Sequence, residues 1–179
     1  MTLIQVNDIC NAGCPYCGID RVGATPTPTL RRALTEAASR ATEVTFGGGE
    51  PTLDARLPAL LAEARSLGIE NRQIESNALR FADPGFVRAI CDAGLDSARV
   101  MLPASDADTW DAVTRLPGGL ELAWKGAANL LAEGVAVSLV LPISNGNVGM
   151  LSQLLERVSG ELPQVSRIQL RPVFFSPDP

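Results

Sequence analysis

The stretch LIQVNDICNAGCPYCG, residues 3–18, places three cysteines directly after a short apolar strand pattern. Cys10, Cys14 and Cys17 follow one another on a single predicted loop, in the spacing C-x3-C-x2-C. Three thiolates spaced in this way can bind three corners of a cubane iron–sulfur cluster, which leaves the fourth iron without a protein ligand. A small molecule can bind and react at such an open iron.

Structural zinc is the main alternative for these thiols, because C-x2-C pairs are also common in zinc sites, which use four Cys or His ligands. The chain contains no His, and its fourth thiol, Cys91, lies in a helical pattern far along the sequence. Within that pattern Cys91 is interpreted as a small core residue. Three thiolates without an evident fourth ligand favour the cluster over zinc, a redox disulfide or inert thiols.

Length and composition predict one globular domain, residues 1–179, with 46% hydrophobic residues and enough chain to bury a core. The first residues lack a basic segment, and no apolar run approaches the length of a membrane-spanning helix. We therefore expect a cytoplasmic protein that does not enter a membrane. The net charge of −5 and the scattered arginines argue against nucleic-acid binding.

Apolar, β-branched runs alternate with helical patterns along the chain, which predicts an α/β fold with parallel strands. Helical patterns include residues 57–67, whose leucines recur at the spacing of one helix face. Four glycines are predicted to end helices: Gly68, Gly94, Gly134 and Gly160. Six strands are predicted near Leu3–Val6, Glu43–Phe46, Arg72–Glu75, Ala98–Leu102, Val135–Leu141 and Arg167–Leu170.

The residues alone leave the topology open between a doubly wound open sheet and a partial barrel, because strand order cannot be read from one sequence. Six strands are too few for the usual closed eight-stranded barrel. The connection between the fourth and fifth strands contains two helical stretches, 106–114 and 120–131. Trp110 and Trp124 lie in this connection and are expected to be packing residues.

A second motif, TFGGGEPTL at residues 45–53, follows the second predicted strand and lacks the Lys-Ser/Thr of a phosphate-binding loop. Together with the cysteine spacing and the aromatic Tyr16, this GGE sequence resembles the signature of the radical S-adenosylmethionine (radical SAM) superfamily. The resemblance implies a partial (βα)6 TIM-like barrel with parallel strands and the cluster loop after the first strand. Because the chain stops shortly after the sixth strand, we expect the last helix of that barrel to be missing.

The same resemblance implies two cofactors, a [4Fe-4S] cluster and S-adenosyl-L-methionine. In the family the three thiolates hold the cluster, and the amine and carboxylate of S-adenosylmethionine chelate the open iron. The backbone and the glutamate of the GGE motif contact the amino group of the bound methionine moiety. The residues assigned to S-adenosylmethionine in this region are Tyr16, Gly48, Gly49, Glu50 and Pro51, and those assigned to the metal are Cys10, Cys14 and Cys17.

Weaker matches add candidates after the third and fourth strands. Asn77 resembles the Asn of a Thr-Asn-Gly sequence found in many members, and it either faces the cofactor or forms a turn. Met101 and Pro103 occupy fourth-strand positions where relatives often carry a Ser and an Asp. Either Ser105 or the adjacent Asp106 is the substitute expected at the cofactor.

Three further candidates follow the fifth and sixth strands. The sequence SLVLPISNGN resembles the V-x-N turn that follows the fifth strand in many members, which implies that the backbone near Leu141 lines the adenine. Asn147 is interpreted as a cap of the following helix. Arg171 lies just past the sixth predicted strand and points to the mouth of the barrel. It is expected either to bind the methionine carboxylate or to form an exposed ion pair.

The resemblance predicts an enzyme that cleaves S-adenosylmethionine reductively, giving a 5′-deoxyadenosyl radical that acts on an unidentified substrate. The pattern is most similar to the branch of molybdenum-cofactor biosynthesis and peptide-modifying enzymes. The expected partners are a peptide or small-molecule substrate and a one-electron donor such as flavodoxin or ferredoxin. A non-catalytic iron–sulfur module for binding or electron transfer is the main alternative, and a zinc-structured scaffold is the third. No side chain is assigned a catalytic role.

Overall fold

Six parallel strands form one sheet in the computed structural model, which describes residues 2–19 and 23–173. The order of the strands in the sheet follows their order in the chain, from the first to the sixth. A doubly wound sheet would reverse this order at a switch point, so the sequential order identifies a partial α/β barrel. The strands are β1 (Thr2–Asn7), β2 (Glu43–Gly48), β3 (Asn71–Ser76), β4 (Ser97–Met101), β5 (Ala136–Ile143) and β6 (Arg167–Pro172).

Helices cover the outer face of the sheet, and two of them lie between β4 and β5 as the sequence predicts. Glycine ends three of the predicted helical runs in a left-handed conformation, at Gly68, Gly94 and Gly134. The prediction for Gly160 is wrong, because this glycine lies inside the last helix. The helices are α1 (Thr27–Ala38), α2 (Leu57–Ser66), α3 (Pro84–Asp92), α4 (Ala107–Thr114), α5 (Leu120–Ala132) and α6 (Leu151–Glu161). In the described ranges, none of the helices is long and apolar enough to cross a membrane.

Side chains along each strand alternate between the helix layer and the inside of the barrel. Phe46, Ile74 and Val100 face the helices and are completely buried in the core. Burial of one such side chain contributes about 1.5–3 kcal/mol relative to its exposure, so this layer holds the barrel together. The opposite side of β3 and β4 carries Glu75 and Arg99, which face the lumen.

The outer face of β6 differs from that of the other strands. Ile168 and Leu170 point away from the lumen and remain 39% and 47% exposed. Among the described residues, no helix follows β6.

Candidate functional site

The cysteine loop starts at the carboxyl end of β1 and brings three thiols to one cavity of about 430 Å³ at the carboxyl ends of the strands. The amide N–H of Cys17 donates to the carbonyl of Cys14 at 3.0 Å, closing a turn with Pro15 at its second position. The Sγ of Cys10 accepts a hydrogen bond from the amide of Ala12 at 3.4 Å. Cys10 and Cys14 are half-buried, whereas Cys17 is exposed.

The glycine-rich loop after β2 lies against the backbone that leads into the cysteines. The amide of Gly49 donates to Asn7 O at 2.7 Å, and the amide of Glu50 donates to Ile9 O at 2.7 Å. A β-carbon at Gly48 or at Gly49 would lie 2.2 Å from Asn7 O or Ile9 O, respectively. Gly48 also has a φ of +120°, a conformation that favours glycine. These glycines therefore fix the start of the cysteine loop, besides lining the cavity.

The buried carboxylate of Glu50 ties the glycine-rich loop to the end of β3. Its Oε1 accepts hydrogen bonds from the hydroxyl of Thr52 at 2.6 Å, the amide of Thr52 at 3.1 Å and the hydroxyl of Ser76 at 2.9 Å. Its Oε2 accepts from the amide of Asn77 at 2.8 Å. Burial raises the pKa of Glu50, while these donors oppose the shift by favouring the ionised form.

Asn77 forms the turn that its sequence context allows, and its role toward a cofactor stays a prediction. It lines the cavity, and its Nδ2 donates to Asn11 Oδ1 in the cysteine loop at 2.8 Å. Its Oδ1 accepts from the amide of Leu79 at 3.2 Å, as in an Asn-stabilised turn. The next residue, Ala78, has a φ of 64°, a left-handed conformation that glycine adopts more readily than alanine.

The carboxyl end of α4 supports the cysteine loop from the other side. The carbonyl of Thr114 accepts from the amide of Gly13 at 2.8 Å and lies 4.0 Å from the Sγ of Cys14. Trp110 is buried, as expected for a packing residue, and its Nε1 donates to Leu116 O at 3.0 Å. Trp110 also lines the cavity, a position that its sequence pattern does not reveal.

A charged group occupies the lumen beneath the loops. Glu75 Oε2 lies 3.2 Å from Arg99 Nη1, and Glu75 Oε1 lies 3.5 Å from Arg171 Nη1. Tyr16 is close to this group. Burial raises the pKa of Tyr16, the neighbouring Cys14 adds to the shift, and the positive charge of Arg171 opposes it.

The cavity unites most of the residues that the sequence singles out, drawn from β1, β2, β3 and β6 and their loops. Its other walls are mainly apolar and include Leu3, Met101 and Pro103. The candidate residues that line it are Cys10, Cys14, Tyr16, Cys17, Gly48, Gly49, Glu50, Asn77 and Arg171.

Three candidates lie outside the lining of this cavity. Pro51 is buried at the start of a short 3-10 turn, Pro51–Leu53. The carbonyl of Ser105 accepts from Arg157 Nη1 at 2.8 Å, and the neighbouring Asp106 caps α4 through the amide of Thr109. Leu141 is completely buried in the helix-side core, because strand alternation turns its side chain away from the lumen.

The interpretation of Asn147 as a helix cap is wrong, because its side chain makes no capping hydrogen bond. Its Nδ2 donates to Pro103 O at 2.9 Å and to Pro142 O at 2.6 Å, and its Oδ1 accepts from the amide of Ser144 at 2.8 Å. The buried amide thus joins the loops after β4 and β5.

Sequence reasoning missed Glu75, Thr114 and Asn7 as parts of the site. A signal exists for Glu75, since a charged residue in a central strand of a parallel sheet covered on both faces would be unusual. The charges of Glu75 and of Arg99 on the neighbouring strand indicate that one face of these strands lines a lumen. Thr114 contributes a backbone carbonyl, which leaves no trace in residue type. Asn7 contributes its carbonyl and also its side chain, whose Nδ2 donates to Glu50 O at 3.3 Å and whose Oδ1 accepts from the amide of Ile9 at 2.9 Å.

The donor set at the loop fits an iron–sulfur cluster. Within residues 2–19 and 23–173, no three Cys, His, Asp or Glu side chains are arranged to hold a single metal ion. A cubane binds each thiolate at a different iron, so its three cysteines need not meet at one point. Three thiols on one cavity, with an N–H directed at the sulfur of Cys10, supply the ligands and the hydrogen bonding that such a cluster requires.

The fold and the site define a partial α/β barrel with a three-thiol cofactor loop on its strand carboxyl ends. Residues 4–157 match the sequence profile of the radical SAM superfamily, and the chain belongs to this superfamily of enzymes. The resemblance stated from the motifs is thereby confirmed.

Named relatives are consistent with the peptide-modifying branch of the superfamily. The PqqA peptide cyclase of Methylobacterium nodulans is 26% identical over 160 residues, which cover 86% of this chain and 42% of the cyclase. Streptococcus suis SuiB bound to the precursor peptide SuiA superposes with a TM-score of 0.78 at 17% identity, covering 98% of this chain and 39% of SuiB. SuiB bound to S-adenosylmethionine gives a TM-score of 0.78 at 17% identity, covering 99% of this chain and 41% of SuiB. The chain spans about two fifths of the length of the curated relatives it matches.

Proposed function

We propose that residues 1–179 form the catalytic core domain of a radical SAM enzyme that modifies a peptide. In this proposal Cys10, Cys14 and Cys17 hold a [4Fe-4S] cluster, and S-adenosylmethionine binds in the adjoining cavity. The convergence of the three thiols and the glycine-rich loop on one cavity is the observation that carries the proposal. When bound, the cluster supplies the electron that cleaves S-adenosylmethionine reductively to a 5′-deoxyadenosyl radical.

The chain's own residues position the cofactors and limit access of water. Gly48 and Gly49 expose backbone groups on the cavity wall next to the cysteines. Glu50 and Asn77 hold that wall to β3 and to the cysteine loop through the hydrogen bonds described above. Apolar side chains, including Trp110, line the rest of the cavity and help to protect a radical from solvent.

A peptide substrate is supported by the relatives. One relative is named as a cyclase of the peptide PqqA, and SuiB has been crystallised with the precursor peptide SuiA. An external one-electron donor such as flavodoxin or ferredoxin completes the proposal, because the reaction consumes one electron per cleavage.

Anaerobic reconstitution with iron and sulfide, followed by dithionite and S-adenosylmethionine, tests the activity. We expect 5′-deoxyadenosine to accumulate, and a variant with all three loop cysteines replaced by alanine should form none. A reducible cluster without cleavage would instead support the non-catalytic iron–sulfur module. A colourless protein with stoichiometric zinc would support the structural scaffold.

A further inference from the structure

The ion pair between Arg171 and Glu75 crosses the lumen of the barrel. Arg171 lies on β6 and Glu75 on β3, and two other strands separate them in the sheet. The side chains of Glu75, Arg99 and Arg171 are 26%, 21% and 38% exposed. Partial burial of these charged groups carries a desolvation cost. Glu75 and Arg171 both line the cavity, where they can contact a charged ligand.

The geometry of this group leaves hydrogen-bonding capacity on Arg171. Glu75 divides its two oxygens between two arginines, giving each a single contact, and the contact to Arg171 is the longer, at 3.5 Å. A guanidinium presents five N–H donors in a planar fork and pairs best with a carboxylate through two parallel hydrogen bonds. The observed contact joins Glu75 to the Nη1 end of that fork alone.

The charges of Arg171 and Glu75 and their position on the cavity limit the kinds of ligand that can bind there. The Glu75 carboxylate beside Arg171 offsets part of its positive charge, which favours a singly charged anion as the ligand. A phosphate with nearly two negative charges would meet stronger repulsion from the Glu75 carboxylate. Arg171 and Glu75 line the same cavity as Cys10 and Gly48, so a ligand held there lies within the site where the radical forms.

We propose that Arg171 binds a carboxylate side chain of the substrate, so that the enzyme acts on a peptide at or beside an acidic residue. This inference rests on the proposed function and names its substrate class. Arg171 acts as a specificity-determining residue, and Glu75 holds it across the lumen until the substrate carboxylate arrives.

Calorimetry with two capped tripeptides tests the assignment on the reconstituted protein under anaerobic conditions. The probes are acetylated, amidated Gly-Glu-Gly and its neutral match Gly-Gln-Gly. We expect the acidic peptide to bind about tenfold more tightly, the size of one charge-assisted hydrogen-bonded pair. Arg171→Met should bring the two affinities within about twofold of each other, the tenfold preference being lost with the pair. Arg31→Met, at an exposed helix position beside Glu63, should keep the preference.

Glu75→Gln is a second variant, and it should change the affinity for the acidic peptide in the opposite direction to Arg171→Met. Because the competing carboxylate is removed, this variant should bind the acidic peptide several-fold more tightly than the parent protein does. Weaker binding of the acidic peptide by Glu75→Gln would contradict the proposal, as would equal binding of both probes by the parent.

The carboxylate of S-adenosylmethionine is the competing source of the same ligand chemistry, so its affinity is measured in parallel. We expect Arg171→Met to leave the binding of S-adenosylmethionine nearly unchanged. A large loss of that binding with an intact peptide preference would assign Arg171 to the cofactor and overturn the proposal. Failure of the parent to form 5′-deoxyadenosine, with the peptide preference intact, would count against the proposed function and not against this site.

Discussion

Gly49 lies so close to Ile9 that a β-carbon on Gly49 would stand 2.2 Å from the Ile9 carbonyl oxygen. The same carbonyl accepts the amide of Glu50 at 2.7 Å. The glycine-rich loop and the segment entering the cysteines are therefore packed backbone against backbone. Any side chain at Gly49 has to displace main-chain atoms, and these cannot move aside as the end of a flexible side chain can.

We expect Gly49→Ala to lower the free energy of unfolding by roughly 2–4 kcal/mol, in the range of strongly destabilising substitutions. The same change should reduce iron loading, because Ile9 directly precedes Cys10. Urea unfolding and iron content after reconstitution measure the two effects. Gly160→Ala is the matched control, since a β-carbon there meets no atom within 4 Å and the residue lies inside α6. That control should be neutral or stabilising by up to about 1 kcal/mol. Equal results for the two variants would contradict the tight backbone packing of Gly49 against Ile9.

Cys14→Ala should abolish cluster loading, because it removes one of the three proposed ligands and the cavity lining contains no cysteine besides these three. Cys91→Ala should load iron normally, since Cys91 packs half-buried on α3 and does not line the cavity. Absorbance in the visible range and iron per chain measure both variants. Equal loading of the Cys14 variant and the parent would refute the ligand assignment.

Glu50→Gln should lower the free energy of unfolding by about 1–3 kcal/mol. The glutamine NH2 group replaces one carboxylate oxygen, so the N–H or O–H group that donated to that oxygen loses its acceptor. Both oxygens of Glu50 accept hydrogen bonds, and the amide of Asn77 cannot rotate to adapt. Thermal or urea unfolding measures the loss. The surface control Glu63→Gln disrupts a partly exposed ion pair with Arg31 and should change stability by less than about 0.5 kcal/mol. A Glu50 variant as stable as this control would show that the carboxylate does not hold the loop.

The ion pair between Asp54 and Arg56 should make the stability of the protein depend on pH. The hydrogen bonds of Arg56 hold the pKa of Asp54 below its ordinary value of 3.8. The folded pKa is lower than the unfolded one, so the contribution to stability is present above about pH 4 and is lost as the pH falls through the folded pKa. Asp54→Asn should therefore cost about 1–2 kcal/mol at pH 7.

The difference between Asp54→Asn and the parent should shrink progressively below about pH 4. Urea titrations at several pH values between about 7 and 3 measure it. A difference that stays constant down to the lowest pH would mean that ionisation of Asp54 does not stabilise the fold. Arg56 also donates to Thr25 O at 2.9 Å, so the pair holds the residue that lies two positions before α1.

Much of the fold could be predicted because the local spacing of apolar residues indicates each strand and helix. All six predicted strands are present, and the helix at residues 57–67 begins at Leu57 as expected. Strand order was not predictable from spacing, because it depends on which strands pair across long connections. The sequential order β1 to β6 came from the family resemblance and is now seen in the sheet.

At the site, the sequence indicated most residues whose type carries chemistry, but Glu75 and the residues that act through the backbone were missed. The three cysteines and Glu50 are recognisable by their side chains. The acceptor carbonyls of Asn7 and Ile9 are not, since any residue has a carbonyl.

Trp110 lies in the wall of the cavity, whereas Trp124, the other tryptophan of the chain, is absent from that lining. The intrinsic fluorescence of Trp110 can therefore report on the contents of the cavity. With Trp124 replaced by phenylalanine, emission from the indole of Trp110 alone would respond to whatever occupies the cavity, and filling of the barrel could be followed in real time without an attached dye.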